Sequence, residues 1–223
     1  MSETIWVTVV LNGFGRTIRQ TGTMFIDQIS VPTHRRTITI ESFDVEDGFE
    51  IHATLKDERP WAEGTPTVNV LHSMGLVLTI DSQSMIVTDA RAEMWNFPHE
   101  ECASIEPAFR ALVGLSITRG YTRAVQEKLG RERGCSHLEF LARAIGPAAI
   151  QTMASSRSRI GGNPVANSNG QFGSWLVNTC HLWAEGGIGF EKTSLGWRPG
   201  QTRYPTPSLV EIRQRRTNED SPE

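Results

Sequence analysis

Five side chains between Asp57 and His137 are of types that do chemistry: Asp57, His72, Cys102, Cys135 and His137. Thiolate, imidazole and carboxylate are the donors zinc takes in a tetrahedral site, and three protein ligands with an open fourth position make such a site catalytic. Cys102, Cys135 and His137 are the candidate ligands. The same groups also allow metal-free chemistry, with Cys135 as nucleophile, His72 as general acid/base and Asp57 orienting His72. No standard spacing supports either scheme, since the chain has neither a C-x-x-C pair nor H-E-x-x-H. Each residue also has a plainer reading. Cys135 can be a small apolar staple against Phe140, and His72 a hydrogen-bonded core histidine. His34, beside Arg35 and Arg36, and His52, on a polar face, read as solvated. Cys180 reads as a core thiol.

What would bring these groups together is chain direction. Before residue 100 the pattern has period two. Phe49, Ile51, Ala53 and Leu55 alternate with Glu50, His52, Thr54 and Lys56, a half-buried strand ending near Asp57. Thr37-Ile38-Thr39-Ile40 pairs with it across the turn holding Asp47-Gly48. Val68, Val70, His72, Met74, Leu76, Leu78 and Ile80 form one face of the next strand, and Asp81-Ser82-Gln83-Ser84 returns the chain towards Trp95. Helical spacing follows. Ile105, Ala108, Phe109, Leu112 and Val113 predict a helix capped by Ser104 and ended by Gly114. Tyr121, Ala124, Val125 and Leu129 predict a second. Ser136-His137-Leu138-Glu139 is an S-x-x-E capping box opening a third, and Pro147 kinks it or starts a new turn. Cys135 then lies just before a helix, where exposed N–H groups and the positive dipole end stabilise a thiolate. In this meander all five groups meet at the end of the sheet that the chain reaches at Trp95.

Composition sets the class and excludes others. The 223 residues fit one well-buried domain, and 38% hydrophobic with 21% charged is ordinary for a globular chain. Lys+Arg 22 against Asp+Glu 25 gives a net charge of −3, without the basic footprint of a nucleic-acid partner. No apolar run reaches membrane-spanning length, and the acidic start predicts no signal peptide, so the expected location is the cytoplasm. Three widely spaced cysteines suit reduced thiols. Gly13-Phe14-Gly15 and Gly186-Gly187-Ile188-Gly189 lack dinucleotide or P-loop spacing, so no nucleotide cofactor is expected. The expected organisation is an N-terminal β extension over 1–30, an α+β core over 31–153, a flexible loop over 154–174, a further core element over 175–200 and a disordered tail over 201–223.

HRRTITIES with DGFEIHATLKDERP, then LHSMGLVLTID, FPHEECASIEPAFRALVGLSITRGY, GCSHLEFLARAIGPAAIQTM and LVNTCHLW resemble, in that order, the bacterial family DUF2889. The resemblance departs around the His72 strand, where Ser73 and Val77 stand in place of an acidic residue and an arginine. It implies a bacterial intracellular protein associated with catabolism of small organic compounds. More distantly, the layout resembles iron–sulfur scaffold and zinc-dependent sulfur-acceptor proteins of the IscU/SufU type, with Ser104 where an aspartate ligand is expected and no cysteine after Gly114. The expected fold is therefore α+β, IscU/SufU-like: a small antiparallel sheet of three to five strands followed by a three-helix layer. The expected function is a zinc- or thiolate-dependent hydrolase or lyase on a small hydrophobic carbonyl or acyl compound, its partner a small-molecule substrate, as monomer or homodimer. The alternative is an accessory protein that binds metal or sulfur and hands it on.

Overall fold

The computed structural model describes residues 31–64, 66–160, 176–197 and 207–219. Four strands, β1 (Arg35–Val45), β2 (Gly48–Glu58), β3 (Val70–Asp81) and β4 (Val87–Asn96), form one antiparallel sheet in the order β1-β2-β3-β4. The alternation in β2 is the cause of its burial. Phe49, Ile51, Ala53 and Leu55 are almost fully buried, while their neighbours face outwards. Gly48 is fixed by close approach: a Cβ there would lie 2.0 Å from the carbonyl oxygen of Ile80 on β3. A four-residue helix, α1 (Pro66–Asn69), precedes β3, so the predicted strand starts two residues late. The β3–β4 turn is held by Asp81, whose carboxylate accepts from the backbone N–H and hydroxyl of Ser84.

The predicted first helix is a 3-10 segment, Glu100–Leu112. Pro107 explains the difference, because an α-helix interior would lose a donor there and meet the ring. Phe109 and Leu112 are buried as the spacing requires. Ser104 does not cap it; its hydroxyl donates to the carbonyl of Glu101. The segment covers the edge of β4, and Glu106 accepts the N–H of Met94 at 2.7 Å.

Two α-helices complete the layer, α2 (Tyr121–Leu129) and α3 (Ser136–Arg159), and their buried residues close one core with the inward face of the sheet. The capping box at Ser136 does not form. Cys135 occupies the N-cap position without a side-chain cap bond, and Glu139 pairs with Arg143 instead. Helix α3 contains Pro147 and runs on through residues 154–159 of the predicted loop. Further on come a 3-10 turn, His181–Trp183, and two helices, α4 (Ile188–Ser194) and α5 (Leu209–Glu219). Helix α5 lies within the predicted disordered tail. Cys180 is exposed, not a core thiol. The N-terminal β extension and residues 161–174 of the loop lie outside the described residues. No described helix is long and apolar enough to cross a membrane.

Gly48→Ala drives a methyl group into backbone that cannot move without breaking the β2–β3 ladder. It is expected to destabilise by about 2 kcal/mol or more, read as a lower urea midpoint with retained circular dichroism.

Candidate metal centre

The inward column of β2 runs Phe49, Ile51, Ala53, Leu55 and then, still in phase, Asp57. At 2% exposure Asp57 is the buried charged residue among those described. The inward column of β3 runs from Ile80 through Leu78, Leu76 and Met74 to His72. Strand register places Asp57 opposite His72 on one side and Arg36 on the other. One end of the apolar sheet face therefore carries three polar groups in a row.

A carboxylate removed from water needs compensation. Arg36 supplies most of it through a two-pronged contact, Nε to Oδ1 at 2.7 Å and a terminal nitrogen to Oδ2 at 2.8 Å. Three imidazoles complete the ring around Asp57. His34 Nε2 lies 3.2 Å from Oδ1, His72 Nδ1 3.3 Å from Oδ2, and His137 Nε2, from the first turn of α3, 3.4 Å from the same Oδ2. The His72 and His137 rings lie 4.1 Å apart, tilted by 32°. On the far side of its ring, His137 Nδ1 lies 3.8 Å from Cys135 Sγ.

Electrostatics fix the charge states. Burial pushes the Asp57 carboxyl up, but the Arg36 hydrogen bonds and charge, joined by His137 and His34, outweigh it and hold the group below its usual range. His137 is pushed down by its own burial and by His72, with the Asp57 charge opposing. The centre thus presents an ionised carboxylate to a histidine that favours the neutral form, the states in which both bind metal.

The ligand atoms of Asp57, His72 and His137 all lie within 4.8 Å of one another. The 3.3 and 3.4 Å separations from Oδ2 match the edge of a tetrahedron of about 3.4 Å that follows from ligand bonds of ~2.0–2.1 Å. His72 Nδ1 is shut off from solvent and, despite its distance from Asp57, is not aligned for a hydrogen bond.

Of the residues singled out from the sequence, the fold gathers Asp57, His72 and His137, and sets Cys135 against the second nitrogen of His137. Cys102 stays outside the group and packs, partly buried, on the core. His34, read as solvated, and Arg36, not singled out from the sequence, belong to the centre. Register was the missed signal: a hairpin pairing Val45 with Gly48 must pair Arg36 with Asp57, and Arg36 is in phase with Ile38 and Ile40. His52 faces outwards as expected, bonded to Glu50 at 2.5 Å and edge-on to Phe43.

Arg36→Met strands a buried carboxylate and is expected to cost about 3 kcal/mol; Arg36→Met with Asp57→Asn should cost less than Arg36→Met alone in denaturant melts. The pKa directions add a pH dependence with a definite sign. His137 resists protonation in the fold, so its contribution is full above its ordinary value of 6.5 and declines as pH falls below it. Asp57 contributes above its ordinary 3.8, and that contribution goes as pH falls through its lower folded value. The melting midpoint should hold steady above about pH 7 and drop on acidification, and His137→Gln should flatten the drop between about pH 5 and 6.5.

A family model described as Protein of unknown function (DUF2889) matches residues 34–151, more than half the chain and the span holding every residue of this centre. No curated protein and no solved structure matches the chain, so the layout shared with iron–sulfur scaffold proteins remains an expectation from the sequence.

Proposed function

Because the chain belongs to the DUF2889 family, whose description assigns no activity, its chemistry has to be read from the site, and we propose a metal-dependent hydrolase or lyase acting on a small carbonyl or acyl compound. The ligands in this reading are Asp57 Oδ2, His72 Nδ1 and His137 Nε2, a two-histidine, one-carboxylate set suited to zinc or another divalent transition ion. The observation that carries it is the approach of His72 Nδ1 and His137 Nε2 to Asp57 Oδ2 at 3.3 and 3.4 Å, with that His72 nitrogen lacking a hydrogen-bond partner among the described residues. Three protein ligands leave a position for water or a substrate oxygen, and an ion there supplies Lewis acidity and an acidified water.

The surrounding residues then have roles beyond direct ligation. Arg36 holds the carboxylate plane from behind, as outer groups do in metal sites. Cys135 Sγ accepts from His137 Nδ1–H, which selects the tautomer whose Nε2 lone pair faces Asp57. His34, half exposed and 3.2 Å from Asp57 Oδ1, stands at the rim, where it can exchange a proton with substrate. Neither His72 nor Asp57 is then the general acid/base pair the sequence suggests; both are ligands.

A metal-free relay uses the same contacts in the opposite proton sense. The Cys135 thiol gives its proton to His137 Nδ1 while Nε2–H points to Asp57, as in thiol nucleophiles activated by an oriented base. The 3.8 Å sulfur–nitrogen contact favours it. Against it, His137 and Asp57 approach to 3.4 Å without hydrogen-bond alignment, and His72 is left without a task.

Elemental analysis of the purified protein, with zinc titration of the chelator-stripped form, separates the readings. About one ion per chain is expected, lost in Asp57→Asn, His72→Ala and His137→Ala, and bound 10–100-fold more weakly in Cys135→Ala. Turnover of small esters, thioesters or carbonyl compounds should stop on chelation and return with metal. A protein that takes up no metal yet loses turnover only in Cys135→Ala supports the relay; metal without turnover supports the accessory reading.

A further inference from the structure

We infer that the cleft between α2 and α3 is an anion clamp for a phosphate or diphosphate group carried by the substrate. The inference deepens the proposed function by naming the substrate's handle, and rests on that reading for the reaction at its other end. The cleft, of about 490 Å³, is lined by Arg123, Arg131, Arg133 and Arg143, against which stand Glu127 and Glu139. Four arginines against these two glutamates and Glu132, which lies between Arg131 and Arg133, still leave a local positive surplus on a chain whose net charge is −3.

The loop presenting two of these arginines, Gly130 to Gly134, is anchored at both ends. A Cβ on Gly130 would lie 2.4 Å from the carbonyl of Gln126, and one on Gly134 2.2 Å from that of Leu129, so the loop lies flush on the last turns of α2. Between these glycines Arg131 adopts φ of 58°, a left-handed conformation that a long side chain rarely takes. Strain of this kind concentrates at working positions. The guanidinium it presents has no side-chain partner among the described residues.

The other three arginines keep donors to spare. Arg123 spends Nε on Glu127 at 2.7 Å. Arg133 makes only long contacts, 3.5 Å to the Gln126 carbonyl and 3.6 Å to Glu132. Arg143 Nε, itself hidden from solvent, lies 3.0 Å from Glu139 but out of line for a hydrogen bond. Planar forks with free N–H groups converging on one cleft suit phosphate oxygens, which accept from several directions at once. A diphosphate, with more acceptor oxygens than a single carboxylate, can take up more of these free N–H groups. The surplus is confined to one cleft and does not run as a stripe, which fits a small molecule better than a nucleic acid.

Position relates the clamp to the metal centre: Ser136 lines the cleft and is the sequence neighbour of both Cys135 and His137, so the two lie at the same N-terminal end of α3.

Calorimetric titration of the chelator-treated protein with inorganic pyrophosphate, and separately with inorganic phosphate, tests the clamp. One saturable site per chain is expected, with pyrophosphate tighter than phosphate. Arg131→Gly relieves the backbone strain, so it should fold at least as stably as the parent while binding pyrophosphate at least tenfold more weakly, and Arg133→Ser should weaken it further. His72→Ala should bind pyrophosphate like the parent even where it has lost metal, so failure of the clamp and failure of the metal reading are seen apart. Absence of saturable binding, several equivalent weak sites, or affinity unchanged in Arg131→Gly with Arg133→Ser overturns the clamp.

Discussion

A carboxylate at the end of an apolar column is the constraint around which the structure is arranged. Asp57 continues the inward phase of Phe49, Ile51, Ala53 and Leu55, so strand geometry alone buries it. Unpaired, that burial would cost several kcal/mol. The fold answers with a cross-strand arginine on β1, a cross-strand histidine on β3 and a histidine from the first turn of α3. These three elements have in common only that each must reach one oxygen pair. The β1–β2 register, the approach of α3 and the tilt of two imidazoles are therefore coupled through a single side chain.

That coupling explains how much of the site was legible. Strand phase is a period-two property, so the inward placement of Asp57 and His72 follows once β2 and β3 are recognised, and a short turn fixes their antiparallel pairing. Chain direction then returns His137 to the same end. The same arithmetic reaches Arg36 when carried one strand further, and adjacency to Arg35 and His34 hid it, since a run of basic residues reads as solvated surface. Cys102 escaped for the opposite reason: its position depends on the path of the Glu100–Leu112 segment, and a 3-10 segment turns its side chains at a different pitch from an α-helix.

Local helix signals were less dependable than strand phase, and the reason is physical. A capping box contributes about 1 kcal/mol, which tertiary demands readily override. At Ser136 the chain uses Cys135 as N-cap, frees Glu139 to pair with Arg143 and turns His137 towards Asp57. Giving up the cap bond leaves Cys135 beside the His137 ring. Helix α3 continues through Pro147, with buried residues Leu141, Ala142, Ile145 and Ala149 on both sides of that point. The charged C-terminal stretch forms a helix despite a composition typical of tails.

Charge counting around Asp57 carries the chemistry one step further. Asp57 and Arg36 cancel, and His137 favours its neutral form, so these three groups bring little net charge before anything binds. A divalent ion held there would bring two uncompensated positive charges into a partly buried pocket, with Arg36 adding repulsion from behind the carboxylate. The most economical compensation is an anionic fourth ligand: hydroxide formed from bound water, or an oxyanion of the substrate. Sites that keep a protein carboxylate fully ionised and unopposed bind metal more tightly but leave a bound water less acidic. By setting Arg36 against Asp57, the fold would trade metal affinity for acidity of a bound water, the balance that the proposed hydrolytic or lyase reading calls for.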